Sequence, residues 1–231
     1  MKPPTRLAAH AAEALEKGAS MPQENSIDYA YSDGEQTSAH SYVLPAVLRM
    51  LDGHDWRRTE RRVFDLGCGN GSVAAALEQR GYVVTGIDAS EAAVGMAKRH
   101  HPNAIIELGS AYEDLAARFG RFEAVVSLEV VEHLYSPRIF ARRFRDLMEP
   151  GGFGIISTPY HGYWKNVALA LSGRMDGHFT ALWDNGHIKF WSIPSIRRLL
   201  GEAGLKVERV VRVGRVPALA KSMILRVVAE D

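Results

Sequence analysis

The segment at residues 63–71, VFDLGCGNG, limits the fold of this chain more than any other feature of its sequence. Residues 63–66 read as a short buried strand, and glycines at alternate positions then form a tight turn. A helix is expected to begin at about residue 72, and a second apolar run, 82–87, ends in Asp88. Strand, glycine turn, helix, strand and acid follow one another in this order in nucleotide-binding β-α-β units.

The glycine turn and the acid have complementary physical roles in such a unit. Glycine lacks a Cβ atom, so the backbone can pass close beneath a ligand. The helix that follows presents unpaired N–H groups and the positive end of its dipole. A carboxylate at the end of the next strand can accept hydrogen bonds from both hydroxyls of a ribose. We therefore expect a nucleotide between residues 67–71 and Asp88; the alternative is a tight turn that binds nothing.

The spacing of the glycines indicates which nucleotide to expect. The turn has the pattern G-x-G-x-G, which differs from the G-x-G-x-x-G of dinucleotide-binding enzymes. DLGCGNG at 65–71, GID at 86–88 and EPGG at 149–152 together resemble class I S-adenosylmethionine-dependent methyltransferases. The resemblance implies that the turn holds the methionine part of the cofactor and that the acid holds the ribose. The implied cofactor contacts are Asp65, Gly67, Cys68, Gly69, Gly71, Asp88, Ala89, Ser110, Ala111, Tyr112 and Leu128, with Tyr112 as a stacking face for the adenine.

Apolar periodicity along the rest of the chain predicts an α/β fold. The expected strands cover 63–66, 82–87, 104–108, 122–128, 153–157, 206–213 and 223–228. The expected helices cover 38–51, 72–80, 91–100, 137–147 and 195–203. Five β-α steps and a closing strand pair predict a Rossmann-like, seven-stranded sheet, mostly parallel with an antiparallel C-terminal hairpin and with helices on both faces. We assign residues 38–231 to this methyltransferase domain and 1–37 to an N-terminal extension, with helical character over 6–17, that is expected to cover the active site.

Residues 160–192 are too long for a simple connection between a strand and a helix, and they are rich in aromatic and polar side chains. We interpret them as an insertion that forms a lid over the strand ends and sets substrate specificity. The alternative is a structural excursion with a small core of its own around Trp164 and Trp191. The candidate substrate contacts are Tyr29, Tyr160, Trp164, His178 and His187.

A second group of functional residues follows the apolar strand at 122–128. Glu129 and Glu132 are spaced so that they share one face of a helical turn, and His133 is adjacent. This E-x-x-E-H pattern resembles ubiquinone-biosynthesis O-methyltransferases and the 3′-terminal 2′-O-methyltransferases of small RNAs. By that resemblance Glu129, Glu132, His133 and either His187 or His178 would hold Mg²⁺ or another divalent cation, which orients a substrate hydroxyl and lowers its pKa.

Two other roles are open for the same residues. His133 can act alone as a general base, because a neutral imidazole takes a proton from a hydroxyl near pH 7. The segment can also have a structural role or contact only the cofactor.

Composition restricts the class of protein further. The formal net charge of +1 gives no global attraction to nucleic acid or to an anionic membrane. The single cysteine excludes an internal disulfide and suits a reducing cytoplasm. No apolar run reaches the ~18 residues that a membrane-spanning helix needs. We expect a cytoplasmic protein that acts on a small-molecule acceptor, without a nucleic-acid partner, and we leave a homodimer open.

Together these features favour an S-adenosylmethionine-dependent methyltransferase that methylates a hydroxyl of a small molecule by in-line transfer, with much of the rate coming from positioning. The alternatives within the class are an RNA ribose methyltransferase with a metal site and an N- or C-methyltransferase of a small metabolite. More distant alternatives are an NAD-dependent oxidoreductase and a non-catalytic module that binds the cofactor. Glu129, Glu132 and His133 are the expected catalytic residues.

Overall fold

The computed structural model describes residues 39–183 and 186–230. The N-terminal extension, its expected helix and the candidate substrate contact Tyr29 lie outside the described residues. Among the described helices, none is long and apolar enough to cross a membrane.

Seven strands form one mixed sheet. They are β1 Arg62–Leu66, β2 Val83–Asp88, β3 Ile105–Leu108, β4 Phe122–Leu128, β5 Met148–Pro159, β6 Leu205–Val213 and β7 Ser222–Ala229. The spatial order is β3-β2-β1-β4-β5-β7-β6. The first five strands run parallel, and β7 is antiparallel to both β5 and β6. The predicted mostly parallel sheet with an antiparallel C-terminal hairpin is confirmed.

Eight helices are described: α1 His40–Asp52, α2 Ser72–Glu78, α3 Glu91–His100, α4 Leu115–Phe119, α5 Pro137–Asp146, α6 Tyr163–Leu171, α7 Met175–Phe179 and α8 Ile193–Glu202, with 3-10 turns at Val131–His133 and Pro217–Leu219. The predicted helices are present with shifts of a few residues at their ends. Helix α8 begins at Ile193, before Pro194, because proline fits the first turn of a helix. Helices α4, α6 and α7 were not predicted from the sequence.

The helices cover both faces of the sheet, as predicted. Side chains alternate across a strand, so Val63 packs into a core with α1, α2 and α3 while Phe64 packs into a core with α5 and α8. Every residue of β4 is buried, as expected of a central parallel strand that is covered on both sides.

The sheet brings distant parts of the chain to a single edge. The parallel strands all end there, as in other open α/β sheets that bind ligands at the carboxyl ends of their strands. Because β7 runs antiparallel, it begins at the same edge, where Ser222 pairs with Pro159 at the end of β5. Residues that precede β7 therefore join the loops that follow β1, β2 and β4.

Candidate active site

A cavity of about 1050 Å³ lies at this edge of the sheet. Its floor comes from the loops that follow β1, β2, β3 and β4, and its other walls come from α1, the insertion at 160–192 and the turn between β6 and β7. Pockets for a single small ligand have volumes of about 300–1000 Å³. The cavity therefore has room for a nucleoside-sized cofactor and a small acceptor together.

The glycine turn forms the floor in a conformation that favours glycine. Gly67, Gly69 and Gly71 have φ angles of 86°, 53° and 82°. The backbone N–H groups of Gly67 and Cys68 both donate to the carbonyl of Ile87 at 2.9 Å, which ties the turn to the end of β2. A Cβ atom at Gly67 would lie 2.5 Å from Cγ2 of Val130. The turn therefore holds the β1–α2 and β4 loops close together.

Asp88 connects the two loops that would enclose a ribose. Its Oδ2 accepts a hydrogen bond from the N–H of Gly69 at 2.9 Å, and its Oδ1 accepts one from the N–H of Ser90 at 2.9 Å. Burial raises the pKa of Asp88, and these two backbone donors oppose that rise. An ionised carboxylate has about four acceptor positions. Asp88 lines the cavity and retains capacity to accept from a ligand diol.

Asp65 lies beneath the same turn and is 1% exposed. Its Oδ2 is buried and has no hydrogen-bond partner among the residues that the structure describes. Burial, followed by the nearby charge of Asp88, raises the pKa of Asp65 to about 7. A buried acceptor without a partner is costly, so a ligand that brings a positively charged donor would be bound favourably here. The ammonium group of S-adenosylmethionine is such a donor.

Most of the predicted cofactor contacts line the cavity. Those that do are Asp65, Gly67, Cys68, Gly69, Asp88, Ala89, Ser110, Ala111 and Leu128. Gly71 is not among the lining residues; a Cβ there would lie 2.9 Å from that of Ala97 in α3. Tyr112 is not among them either, and its hydroxyl accepts a hydrogen bond from the N–H of Ser136 at 3.1 Å.

Glu129 follows β4 directly and has the left-handed backbone conformation, with φ of 57°. Such a conformation is uncommon outside glycine and occurs often at functional sites. Its carboxylate accepts from Oγ of Ser157 at 2.8 Å and from Oγ of Ser222 at 3.1 Å. Burial raises the pKa of Glu129 to about 7. The two serines hold this carboxylate toward β5 and β7.

Two residues that follow β4 and one from the insertion lie close together: Glu132, His133 and His187. Each offers one ligand atom, and these atoms all lie within 4.8 Å of one another. Glu132 is fully buried; its Oε2 accepts from Oγ1 of Thr158 at 3.0 Å, and its Oε1 has no hydrogen-bond partner in the described part of the chain. Burial, followed by the charge of Glu129, raises the pKa of Glu132 well above its usual value. This arrangement is suited to a cation.

Backbone contacts bring His187 to this position. The N–H groups of Ile188 and Lys189 both donate to the carbonyl of Glu132, at 3.0 and 2.9 Å. Nδ1 of His133 lies 3.2 Å from the carbonyl oxygen of Gly186, which can only accept. Nδ1 therefore carries the proton, and Nε2 of His133 has the lone pair that a metal ion or a hydroxyl proton requires.

The other candidate substrate contacts lie elsewhere in the insertion. The ring of His178 is 5.3 Å from that of His161, and both histidines line the cavity. Tyr160 is buried and forms an isolated bridge with Trp191. Trp164 is 65% exposed and is not a lining residue.

Several lining residues were missed as site candidates by the sequence analysis: His40, Lys165, Arg174, Arg215, Lys221 and Ser222. A topological signal was present for two of them. Lys221 and Ser222 stand at the start of an expected antiparallel strand, and such a strand begins where its parallel neighbours end. Arg215 precedes them in the Gly/Pro-containing turn between β6 and β7.

Comparisons with known proteins identify the family. Residues 36–210 match the family described as Methyltransferase domain. The chain is 36% identical over 189 residues to the ubiquinone biosynthesis O-methyltransferase of Chromobacterium violaceum, covering 80% of this chain and 81% of that protein. It is 30% identical over 152 residues to the protein of the same name from Dinoroseobacter shibae, covering 63% of this chain and 60% of that relative.

A solved structure shows the same fold. Magnesium protoporphyrin IX methyltransferase from Synechocystis PCC 6803, with bound SAH, aligns with a TM-score of 0.60 and 23% identity over 81% of this chain and 82% of that one. The glycine turn, Asp88 and Asp65 line the same cavity. The family match covers most of the described sheet, and the chain belongs to the S-adenosylmethionine-dependent methyltransferases.

Proposed function

We propose that the protein transfers the methyl group of S-adenosylmethionine to a hydroxyl group of a small molecule. The observation that carries this proposal is the cluster of Glu132, His133 and His187, whose two histidines line the cavity. Its two imidazoles and one carboxylate can hold a hydroxyl group and remove its proton. Two relatives whose printed name is ubiquinone biosynthesis O-methyltransferase support an oxygen acceptor.

The cofactor end of the cavity accounts for binding and orientation. Asp88 would accept hydrogen bonds from the ribose hydroxyls, and Asp65 would accept one from the ammonium group. Gly67 and Gly69 allow the backbone to approach the amino-acid part closely. S-adenosylmethionine supplies an activated methyl group on a sulfonium, and S-adenosylhomocysteine is the product that remains.

The other end of the cavity accounts for the acceptor. In the tautomer that the Gly186 carbonyl selects, the lone pair of His133 is on Nε2, and we assign acceptance of the hydroxyl proton to this atom. Burial raises the pKa of Glu132, and burial followed by the charge of His133 lowers the pKa of His187 to about 4. His187 is therefore neutral near pH 7. Methyl transfer to oxygen releases one proton, and the imidazole of His133 would take it up.

We further propose that Glu132, His133 and His187 hold a divalent cation such as Mg²⁺ or Mn²⁺. The unpartnered Oε1 of Glu132 and the low proton affinity of His187 fit this role, since metal ligands must be deprotonated. A cation bound there would lower the pKa of a coordinated hydroxyl. The structure directs Glu129 toward Ser157 and Ser222, so we assign that residue to the support of the site.

The insertion at 160–192 would act as the lid. Its return segment is fixed to Glu132 by the backbone hydrogen bonds of Ile188 and Lys189. It contributes side chains to the lining of the cavity, among them those of His161, Lys165 and His178. A cytoplasmic location and a homodimer stay predictions.

The test is methyl transfer from S-adenosylmethionine with a deuterated methyl group to a panel of catechols, followed by mass spectrometry. We expect one deuterated methyl group on a phenolic oxygen. Transfer should stop with EDTA and resume when Mg²⁺ or Mn²⁺ is added in excess. S-adenosylhomocysteine binding without transfer to any catechol would contradict the proposed reaction, and transfer that is insensitive to EDTA would remove the cation from it.

A further inference from the structure

The half of the cavity formed by the insertion and the β6–β7 turn contributes cations to the lining, whereas the ends of the parallel strands contribute acids. The acids that line the cavity, Asp65, Asp88 and Glu129, all stand at the ends of parallel strands. The insertion and the β6–β7 turn contribute four cations to the lining: Lys165, Arg174, Arg215 and Lys221. Among the described residues of these two segments, no acid lines the cavity.

Lys165 is held at this position by the main chain. Its Nζ donates to the carbonyl of Tyr160 at 2.8 Å and lies 3.5 Å from that of Lys221. The side chain is partly buried, and within the described ranges it forms no ion pair. An ammonium group has three donors, so the two carbonyls leave donor capacity directed at the cavity.

A second cation faces the same space. Burial, followed by the charge of Arg215, lowers the pKa of Lys165 to about 8. Burial, followed by the charges of Lys165 and Arg215, lowers the pKa of His178. Like charges in a partly buried site repel, and Glu129, whose charge opposes the lowering of the Lys165 pKa, is already hydrogen-bonded to two serines. An anion from outside the chain would relieve this repulsion.

We propose that Lys165 and Arg215 form a binding site for an anionic group, a carboxylate or a phosphate, on the methyl acceptor. The inference rests on the proposed function, because it takes the ligand of this half of the cavity to be the acceptor. Arg174 and Lys221 supply further positive potential around the site. The acceptor is then a hydroxylated molecule that presents its hydroxyl to the cluster of Glu132, His133 and His187 and its anionic group to the lid.

Three catechols that differ in one substituent test this inference: 3,4-dihydroxybenzoate, 3,4-dihydroxybenzyl phosphate and the neutral 3,4-dihydroxybenzamide. Calorimetry measures their binding to the full chain saturated with S-adenosylhomocysteine. We expect one or both anionic catechols to bind about tenfold or more tightly than the amide, as for other hydrogen bonds to charged groups. The anion that binds better identifies the group as a carboxylate or a phosphate.

Substitutions test whether Lys165 and Arg215 cause the preference for anionic catechols. Lys165→Met and Arg215→Gln should each reduce the preference for the anion about tenfold. Arg209→Gln removes an equal charge from an exposed position of β6 outside the cavity lining and should keep the preference. Equal binding of the three catechols by the parent protein, binding of none, or a preference that survives both cavity variants would overturn the inference.

Three further outcomes separate this inference from its alternatives. If Lys165→Met weakens S-adenosylhomocysteine binding, the cations serve the carboxylate of the cofactor and the inference fails. If the parent methylates the neutral amide as well as the anionic catechols, the inference fails while the proposed reaction stands. If the anionic catechols bind preferentially but none is methylated, the proposed reaction fails and the anion site is retained.

Discussion

Nε2 of His187 lies 4.0 Å from Oε1 of Glu132, an oxygen that has no hydrogen-bond partner among the residues described. A direct hydrogen bond is shorter than this separation, and one ion can contact two ligand atoms that are 4.0 Å apart. Nε2 of His187 comes from the insertion, whereas Glu132 follows β4. A ligand bound between them would therefore connect the lid to the central sheet.

The cation site predicts a selective effect of two histidine substitutions. His187→Ala removes one of the three ligands and is expected to weaken Mn²⁺ binding about tenfold or more, as measured by calorimetry. His178→Ala is the matched control, because its ring lies against His161 and His178 is not one of the three ligands of the cluster. Equal loss in the two variants, or no Mn²⁺ binding by the parent protein, would contradict the site.

The sequence did not decide which histidine, His178 or His187, lies beside Glu132 and His133. Glu132 and His133 were predicted from their spacing, but either His178 or His187 satisfied the pattern. The end of the insertion is fixed by hydrogen bonds from Ile188 and Lys189 to the carbonyl of Glu132, and these bonds place His187 beside Glu132. Backbone hydrogen bonds of this kind have no side-chain signature, so periodicity and composition do not reveal them.

The glycine turn was predicted well because its chemistry is local. The φ of 86° at Gly67 and the adjacent acid at the end of β2 follow from a short pattern. The insertion was recognised as a segment, but its helices α6 and α7 were not, since none of their residues is fully buried and the usual apolar stripe is weak. Lys165 and Arg215 were missed because tertiary structure alone brings them together.

Substitution at Gly67 should destabilise the fold through two separate effects. Gly67→Ala imposes a left-handed conformation, which costs about 1–2 kcal/mol for a residue with a Cβ, and places that atom 2.5 Å from Val130. Overpacking of this kind costs a further ~1–3 kcal/mol. Urea unfolding measures the loss.

Gly173→Ala is the control for that experiment. Gly173 has φ of 64°, but a Cβ atom there would meet nothing within 4 Å. It should show only the conformational cost, about 1–2 kcal/mol. Adding Val130→Ala to Gly67→Ala should recover part of the loss. If Gly67→Ala and Gly173→Ala have the same effect, the contact with Val130 does not constrain the turn.

The raised pKa of Asp65 predicts that cofactor binding releases protons. Its pKa is raised to about 7 by burial first and by Asp88 second, so its carboxyl is largely protonated at pH 6. An ammonium group beside Oδ2 would favour the ionised form and lower this pKa. S-adenosylhomocysteine binding at pH 6 should therefore release up to about one proton, with the release disappearing above about pH 8.

Calorimetry in two buffers of different ionisation enthalpy measures this release. Asp65→Asn cannot ionise at this position and should abolish most of the buffer dependence at pH 6. A parent protein whose binding enthalpy is independent of the buffer at pH 6 would show that the cofactor does not contact Asp65.

The most direct test of the central claim is a calorimetric titration of S-adenosylhomocysteine and of NAD⁺ into the parent protein and the Asp88→Asn variant. Asp88 is the acceptor that joins the Gly69 and Ser90 loops. The parent should bind S-adenosylhomocysteine and not NAD⁺, and the variant should bind S-adenosylhomocysteine about tenfold or more weakly, because a charged hydrogen-bond acceptor is lost. Equal affinity of both proteins for S-adenosylhomocysteine, or a preference of the parent for NAD⁺, would contradict the account.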